Sequence, residues 1–83
     1  MSKDEKLIKK FQTNPLPNDI DFSDFKKYLE MYGFRLISVK GSHNLFTHDD
    51  IKEPYVIPTV NGRKVKPYYL KQINKIIKEL EAK

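Results

Sequence analysis

The apolar positions of the first half of the chain recur at helical spacing. Four large side chains fall on one face of a helix that the spacing predicts over residues 22–32: Phe22, Phe25, Leu29 and Tyr32. Asp21 is predicted to cap the first turn of this helix with its side chain, and Gly33 to end it in the left-handed conformation. We therefore expect the four side chains to belong to a hydrophobic core.

A shorter apolar pattern precedes this helix. Residues 6–11 predict a short helix, and the following segment, residues 13–18, contains two prolines and predicts a linker. The pattern thus divides the chain into an N-terminal helical extension with its linker, residues 1–18, and one compact domain, residues 19–83.

After Gly33 the pattern changes to one typical of strands. Residues 34–39, 44–47 and 55–60 are rich in strand-forming side chains. Lys40-Gly41-Ser42 predicts a hairpin turn between the first two strands, and Pro58 marks the third as an edge strand. The Asn61-Gly62 pair then turns the chain again.

A helical period closes the chain. Pro67 suits the first position of a helix, and five aliphatic side chains after it are expected to face inward: Leu70, Ile73, Ile76, Ile77 and Leu80. The order α-α-β-β-β-α predicts an α+β fold, in which helices cover one face of a three-stranded antiparallel sheet and the other face stays open.

Composition narrows the classes of function. A chain of 83 residues has little room for a deep cavity, so any active site is expected to be a surface. The chain has no cysteine and no apolar run of the length of a signal peptide or membrane span, so we expect a cytoplasmic protein without membrane attachment. The net charge of +5 favours polyanionic partners, although a solubilising lysine-rich surface has the same charge.

The candidate metal ligands form no convincing set. His43 and His48 would need help from carboxylates in the loop after the second strand, at Asp49, Asp50 and Glu53, and an Asp-Asp pair is more typical of a turn. The three glycines are too far apart for a phosphate-binding loop. The sequence therefore predicts no metal site and no cofactor.

The segment Lys40-Gly41-Ser42-His43 combines groups that suit RNA cleavage. Attack by the ribose 2′-hydroxyl needs two proton transfers and stabilisation of charge on the phosphate. Histidine exchanges protons near neutral pH, while Lys40, the backbone of Gly41 and the Ser42 hydroxyl suit phosphate oxygens. By spacing alone, however, a single histidine beside a turn is more often an ordinary surface residue, so the residues themselves leave both interpretations open.

An ordered set of motifs resembles the HicA toxin family. It comprises Tyr-Gly-Phe-Arg-Leu at residues 32–36, Val-Lys-Gly-Ser-His-Asn-Leu-Phe-Thr-His at 39–48, and later Val56-Ile57-Pro58, Asn61-Gly62 and Val65-Lys66-Pro67. The resemblance extends from about residue 20 to 80. The chain departs from the family pattern before residue 19, where it is longer, and at Thr59-Val60, where many relatives have a histidine or another polar residue.

The resemblance implies a fold related to the double-stranded RNA-binding domain and ribosome-independent cleavage of mRNA by the toxin of a type II toxin-antitoxin system. It implies that His43 is the catalytic general acid or base and that a HicB-type antitoxin covers the His43 region. It singles out no second catalytic group. Because the sequence has no convincing ligand set, we expect the cleavage to be independent of metals. The alternative is a non-catalytic RNA-binding module of the same fold, in which His43 only contacts the RNA backbone.

Basic residues near the last helix are candidate phosphate contacts. Arg63, Lys64 and Lys66 precede that helix and are candidates to bind RNA together with the hairpin residues Lys40, Gly41 and Ser42. For Arg63 and Lys64 a merely solvated surface is the open alternative. Three further lysines are each expected to be solvated on the outer face of the helix: Lys71, Lys75 and Lys78.

Overall fold

The computed structural model describes residues 3–82 and contains helices and strands in the predicted order, with two short strands in addition. The helices are α1 (Lys3–Gln12), α2 (Phe22–Met31) and α3 (Pro67–Glu81), and the strands are β1 (Ile20–Asp21), β2 (Arg35–Lys40), β3 (His43–Thr47), β4 (Tyr55–Pro58) and β5 (Lys64–Val65). Strands β2, β3 and β4 form an antiparallel sheet in that order, and β1 pairs with β5. The predicted α+β fold with a three-stranded sheet is confirmed.

The core lies between the inner face of the sheet and the helices. The sheet contributes Phe46 and Ile57, both fully buried, and all three helices contribute further buried side chains: Phe11, Phe25, Tyr28, Leu29, Leu70, Ile73 and Ile77. Burial of one Leu or Phe side chain stabilises a fold by about 1.5–3 kcal/mol, so this short list accounts for much of the driving force. The opposite face of the sheet carries side chains that remain exposed, such as Val56 at 43%.

Helix α2 ends as its sequence predicts and begins differently. Gly33 adopts φ +88°, and the backbone N–H groups of Gly33 and Phe34 donate to the carbonyls of Glu30 and Leu29, which is a Schellman motif. The predicted side-chain cap at Asp21 is wrong, because this carboxylate makes no capping hydrogen bond and instead accepts one from Lys64.

Helix α1 is longer than predicted and packs against α2. Phe11 is fully buried and meets the ring of Tyr28 edge to face at a centroid distance of 5.1 Å. The Tyr28 hydroxyl accepts a hydrogen bond from Gln12 and donates one to Asn74, whose amide in turn donates to the Phe11 carbonyl. Desolvation by burial raises the pKa of Tyr28 to about 12. A polar network therefore ties α1 to both other helices.

The sheet has two edge strands of different character. Strand β4 is an edge, as Pro58 predicts, and β2 is the other. The pairing of β2 with β3 shifts between Leu36 and Ser38, so Ile37 is an extra residue that bulges from the ladder. Over residues 3–82, no helix is long and apolar enough to cross a membrane.

Candidate active site

The predicted Lys40-Gly41-Ser42-His43 corner is a tight hairpin turn. Lys40 is paired with His43 across β2 and β3, so Gly41 and Ser42 alone make the turn. Gly41 has φ +59°, as in the type II′ turns that suit the twist of a hairpin. A Cβ atom at Gly41 would meet nothing within 4 Å, so the backbone conformation, and not lack of space, favours glycine here.

The turn is attached to β4 by hydrogen bonds that converge on one carbonyl. The Ser42 carbonyl accepts from the backbone N–H of Thr59 at 2.8 Å, and from the Thr59 hydroxyl and the Asn44 side-chain amide at 3.4 Å each. Asn44 is only 5% exposed, and its amide also donates to the Ile57 carbonyl at 3.0 Å. The corner is therefore braced from two strands.

Asn44 and Thr59 were not predicted to shape the site. The alternation of β3 does place Asn44 on the same face as the buried Phe46, so its burial can be read from the sequence pattern. No local signal shows that the carbonyls of Ser42 and Ile57 would receive its amide hydrogens, because that depends on the register between distant segments.

His43 begins β3 on the open side of the sheet, opposite Lys40 on one side and Pro58 on the other. Its side chain is exposed and makes no hydrogen bond or ion pair with any residue that the structure describes. The exposed hydroxyl of Ser42 is likewise without a hydrogen-bond partner among residues 3–82. An imidazole, a hydroxyl and the ammonium group of Lys40 thus occupy one solvent-facing corner.

His48, unlike His43, makes hydrogen bonds and a ring contact with neighbouring segments of the fold. Its Nδ1 atom accepts from the backbone N–H of Asp50 at 3.0 Å, so Nε2 carries the proton and donates to the Tyr32 carbonyl at 2.9 Å. The ring packs against Phe34 with 4.8 Å between centroids, and lies so close to Gly33 that a Cβ atom there would be 3.0 Å from Nε2. His48 joins the end of α2 to the loop after β3.

The loop carboxylates beside His48 do not gather around an ion-sized site. Asp49 pairs with Arg35 at 3.2 Å. In the part of the chain that the structure describes, no group of three or more His, Asp or Glu side chains has an arrangement that could bind a metal ion.

The basic residues before α3 differ in whether a carboxylate pairs with them. Arg63 and Lys66 are exposed and have no ion-pair partner among the described residues. Lys64 instead lies between Asp19 at 2.8 Å and Asp21 at 2.5 Å. Hydrogen bonds to these two carboxylates raise the pKa of Lys64, and its hydrogen bond to Asp21 lowers the pKa of that carboxyl.

The turn that carries Arg63 is connected to the hairpin corner through a short piece of chain. Thr59 contacts Ser42 directly, and the next residue, Val60, pairs with Lys64 through a hydrogen bond of 2.7 Å. The structure thus groups Lys40, Gly41, Ser42 and His43 at one corner, with Arg63 and Lys66 on the connection that leaves it.

The fold and this corner together define a small α+β domain of the double-stranded-RNA-binding type, whose candidate site is a surface. A family model for the HicA toxin of bacterial toxin-antitoxin systems matches residues 22–82. The chain belongs to the HicA toxin family. No curated protein and no solved structure matches it.

Family membership has one direct consequence for partners. HicA proteins are the toxins of toxin-antitoxin systems, so the family implies an antitoxin that acts on this chain. The family match begins with the first residue of α2, and both α1 and β1 therefore lie outside it.

Proposed function

We propose that this chain is the toxin of a type II toxin-antitoxin system and that it cleaves mRNA independently of the ribosome, with His43 as general acid or base. The observation that carries the proposal is the exposed imidazole of His43, which has no partner within residues 3–82 and stands at a braced corner. A structural histidine in this fold has the surroundings of His48 instead.

The corner supplies the groups that RNA cleavage needs. The ribose 2′-oxygen forms a bond to phosphorus as its proton leaves, and the bond from phosphorus to the 5′-oxygen breaks as that oxygen gains a proton. His43 performs one of these transfers, and solvent is available at the exposed corner for the other. The ammonium of Lys40, the backbone N–H of Gly41 and the hydroxyl of Ser42 stabilise the phosphate charge.

Phosphate contacts beyond the corner position the RNA. Arg63 and Lys66 are free to contact phosphates without reading the sequence, since their cationic groups have no protein partner among the described residues. Lys64 contributes to the same surface, but it shares its charge with Asp19 and Asp21.

Cleavage by this route uses proton transfer alone, so we expect it to proceed without a divalent ion. Activity should persist in excess EDTA. If EDTA stopped cleavage and a divalent ion restored it, the carboxylates of Asp49, Asp50 and Glu53 would have to be considered as ligands that assemble around bound RNA.

An antitoxin of the HicB type binds over His43 and excludes RNA. An interface of ordinary size buries about 800 Å² on each partner, which on so small a domain includes the hairpin corner and the neighbouring open sheet face. That face presents exposed apolar side chains, Ile37 at 53% and Val56 at 43%. The basic corner favours an acidic inhibitor, and complementary charge accelerates association.

The decisive experiment is His43→Ala, with His48→Ala as the matched histidine control. General acid-base catalysis typically contributes about 10²–10⁴-fold, so His43→Ala should lose RNA cleavage by that factor and no longer arrest growth on induced expression. His48→Ala should still cleave RNA under conditions in which it is folded. Full cleavage by a folded His43→Ala protein would refute the catalytic role of His43. A parent chain that binds RNA without cutting it and does not arrest growth would leave the non-catalytic RNA-binding module.

A further inference from the structure

Tyr68, in the first turn of α3, is an exposed aromatic residue whose ring contacts that of Tyr69. It is 61% exposed, the highest value among the large exposed hydrophobic side chains of the described residues. Its ring meets that of Tyr69 edge to face, with centroids 5.2 Å apart and an interplanar angle of 87°. Tyr69 packs against the core, so it supports the Tyr68 ring from one side while the ring stays open to solvent.

Tyr68 stands at the head of a row of cations. Lysines follow it at the i+3, i+7 and i+10 positions, a spacing that aligns side chains along one face of a helix. All three are exposed and line a groove of about 600 Å³ between α3 and the end of α1: Lys71, Lys75 and Lys78. One carboxylate, that of Glu81, also lines this groove. The aromatic ring and the three ammonium groups therefore share one face of α3.

The whole segment around Tyr68 is free of acidic residues. Residues 54–78 include no Asp or Glu and six cations: Arg63, Lys64, Lys66, Lys71, Lys75 and Lys78. A polyanion can therefore follow this segment without meeting a carboxylate that belongs to it. An exposed tyrosine also suits a protein interface, but an open aromatic ring beside a row of cations is the combination by which proteins bind single-stranded nucleic acid.

We propose that Tyr68 stacks on an unpaired base of the RNA, while Lys71, Lys75 and Lys78 contact the phosphates on one side of that base. Aromatic side chains stack on any base and, together with cations along the backbone, make up the usual recognition of single-stranded RNA. The inference rests on the proposed function for its choice of ligand, and it adds the form of the substrate, which is single-stranded at this position.

Tyr68 and His43 lie toward different ends of β4, so the stacked base and the bond that is cut are at different places on the RNA. Desolvation by burial, together with the nearby phenols of Tyr68 and Tyr69, raises the pKa of Tyr55 on β4, which is consistent with a tyrosine pair on the Tyr55 side of the strand. His43 is paired with Pro58 at the other end, three residues away or about 10 Å along the strand. We therefore expect the stacked base to lie beside the bond that is cut, on the Tyr55 side, and not at that bond.

The test measures binding without cleavage, in the full-length His43→Ala chain. The probe is a short single-stranded RNA, and the comparison is the same sequence in a perfect duplex. Adding Tyr68→Ala should weaken single-strand binding about 5- to 100-fold, and Tyr68→Phe, which keeps the ring, should bind as the parent does. Duplex binding should change little, because paired bases are not free to stack on the ring.

Two controls separate stacking from charge and from general surface effects. Ile37→Ala removes a side chain of similar exposure from the open sheet face and should leave single-strand affinity unchanged. The double variant Lys75→Ala/Lys78→Ala should flatten the salt dependence of binding by roughly 0.7 units for each phosphate that is no longer neutralised, and Tyr68→Ala should leave the slope as it was.

Several results would overturn the inference. Equal losses for Tyr68→Ala on single strand and duplex, an equal loss for Tyr68→Phe, or unchanged RNA binding with weakened antitoxin binding would each do so. The outcome is independent of catalysis: a chain that never cuts RNA but loses single-strand binding with Tyr68→Ala would refute the proposed enzyme and keep the base-stacking site.

Discussion

The two histidines show how differently one residue type is used within a few positions. His43 is exposed and unpartnered among the described residues, whereas His48 uses both ring nitrogens in hydrogen bonds to the backbone of Asp50 and Tyr32. The Tyr32 carbonyl is partly buried, so leaving it without its hydrogen bond from His48 costs stability, whereas His43 makes no such bond with any described residue.

This contrast predicts opposite phenotypes for two alanine variants. His48→Ala should lower the free energy of unfolding by about 1–3 kcal/mol, since it removes both hydrogen bonds and the packing on Phe34. For a domain of this size each kcal/mol corresponds to roughly 4–8 °C in Tm. His43→Ala should leave Tm within a degree or two. Thermal unfolding of both variants measures this, and equal Tm values for them would contradict the structural role given to His48.

Tyr28 predicts a specific dependence of stability on alkaline pH. In the unfolded chain its phenol ionises near pH 10, but burial holds it neutral in the fold up to about pH 12. The contribution of neutral Tyr28 to the free energy of unfolding is thus fully present below pH 10. It is lost progressively as the pH rises from 10 to about 12.

Tyr28→Phe removes this ionisation and should flatten the fall in Tm over the same pH range. At neutral pH the variant should be less stable by about 1 kcal/mol, because the hydrogen bonds with Gln12 and Asn74 are gone. Unfolding curves at several pH values compare the two proteins, and parallel pH profiles would show that another group controls the alkaline transition.

At the scale of elements, the β2–β3 hairpin depends on a side chain that makes almost no contact with solvent. The amide of Asn44 bridges the carbonyls of Ser42 and Ile57, and so ties the turn to β4. Its removal should affect the geometry of the His43 corner as well as stability.

Asn44→Ala is therefore expected to lower stability by about 1–3 kcal/mol and also to reduce RNA cleavage by the folded protein. Thr59→Val, which keeps the backbone hydrogen bond to Ser42 and loses only the hydroxyl contact at 3.4 Å, is the milder companion variant. Cleavage rates per folded molecule would test this prediction, and an Asn44→Ala protein with the parent rate would show that the corner needs no such brace.

Helix α1 lies outside the family match but shares the core of the matched region. Phe11 is fully buried against Tyr28, and its carbonyl accepts from Asn74 of α3. Phe11→Ala should cost about 3–5 kcal/mol, the usual result of emptying a buried phenylalanine site. Chemical denaturation measures the loss, and a value below about 1 kcal/mol would mean that α1 is dispensable for the fold.

The elements themselves were predictable from the sequence, and the contacts between distant segments were not. Helix α2 with its stop at Gly33, the turn at Gly41-Ser42 and the start of α3 at Pro67 each have a local signal. The β1–β5 ladder spans two residues per strand and joins segments more than forty positions apart. Such a short pairing produces no periodic pattern in the sequence. Nothing around Asp21 therefore indicated that Lys64 would donate a hydrogen bond to its carboxylate.

The same limit applied to the candidate site. The hairpin and its histidine could be found from the sequence, because the turn chemistry is local. The engagement of His48 and the burial of the Asn44 amide depend on how α2 and β4 dock against β3, which a pattern of neighbouring residues does not record.

For the whole molecule, the distribution of charge makes a prediction about salt. Arg63 has no partner among the described residues, whereas Lys64 is shared with Asp19 and Asp21. Arg63→Ala should weaken RNA binding and reduce the salt slope by about one unit, since a free cation releases a counterion on binding phosphate. Lys64→Ala should change the slope less. Titrations at several salt concentrations compare the two, and a larger change for Lys64 would place the RNA on the β5 side of the turn.

The extra residue at Ile37 has a consequence beyond the shape of β2. A three-stranded sheet ends in two rows of unpaired backbone N–H and C=O groups, and a regular, apolar edge of this kind recruits strands from other molecules. In β2 the bulge interrupts the row between Leu36 and Ser38, while charged side chains stand at either end, Lys40 at one and the Arg35–Asp49 ion pair at the other. We therefore expect the irregularity to disfavour edge-to-edge pairing between molecules, the step from which sheet aggregates grow.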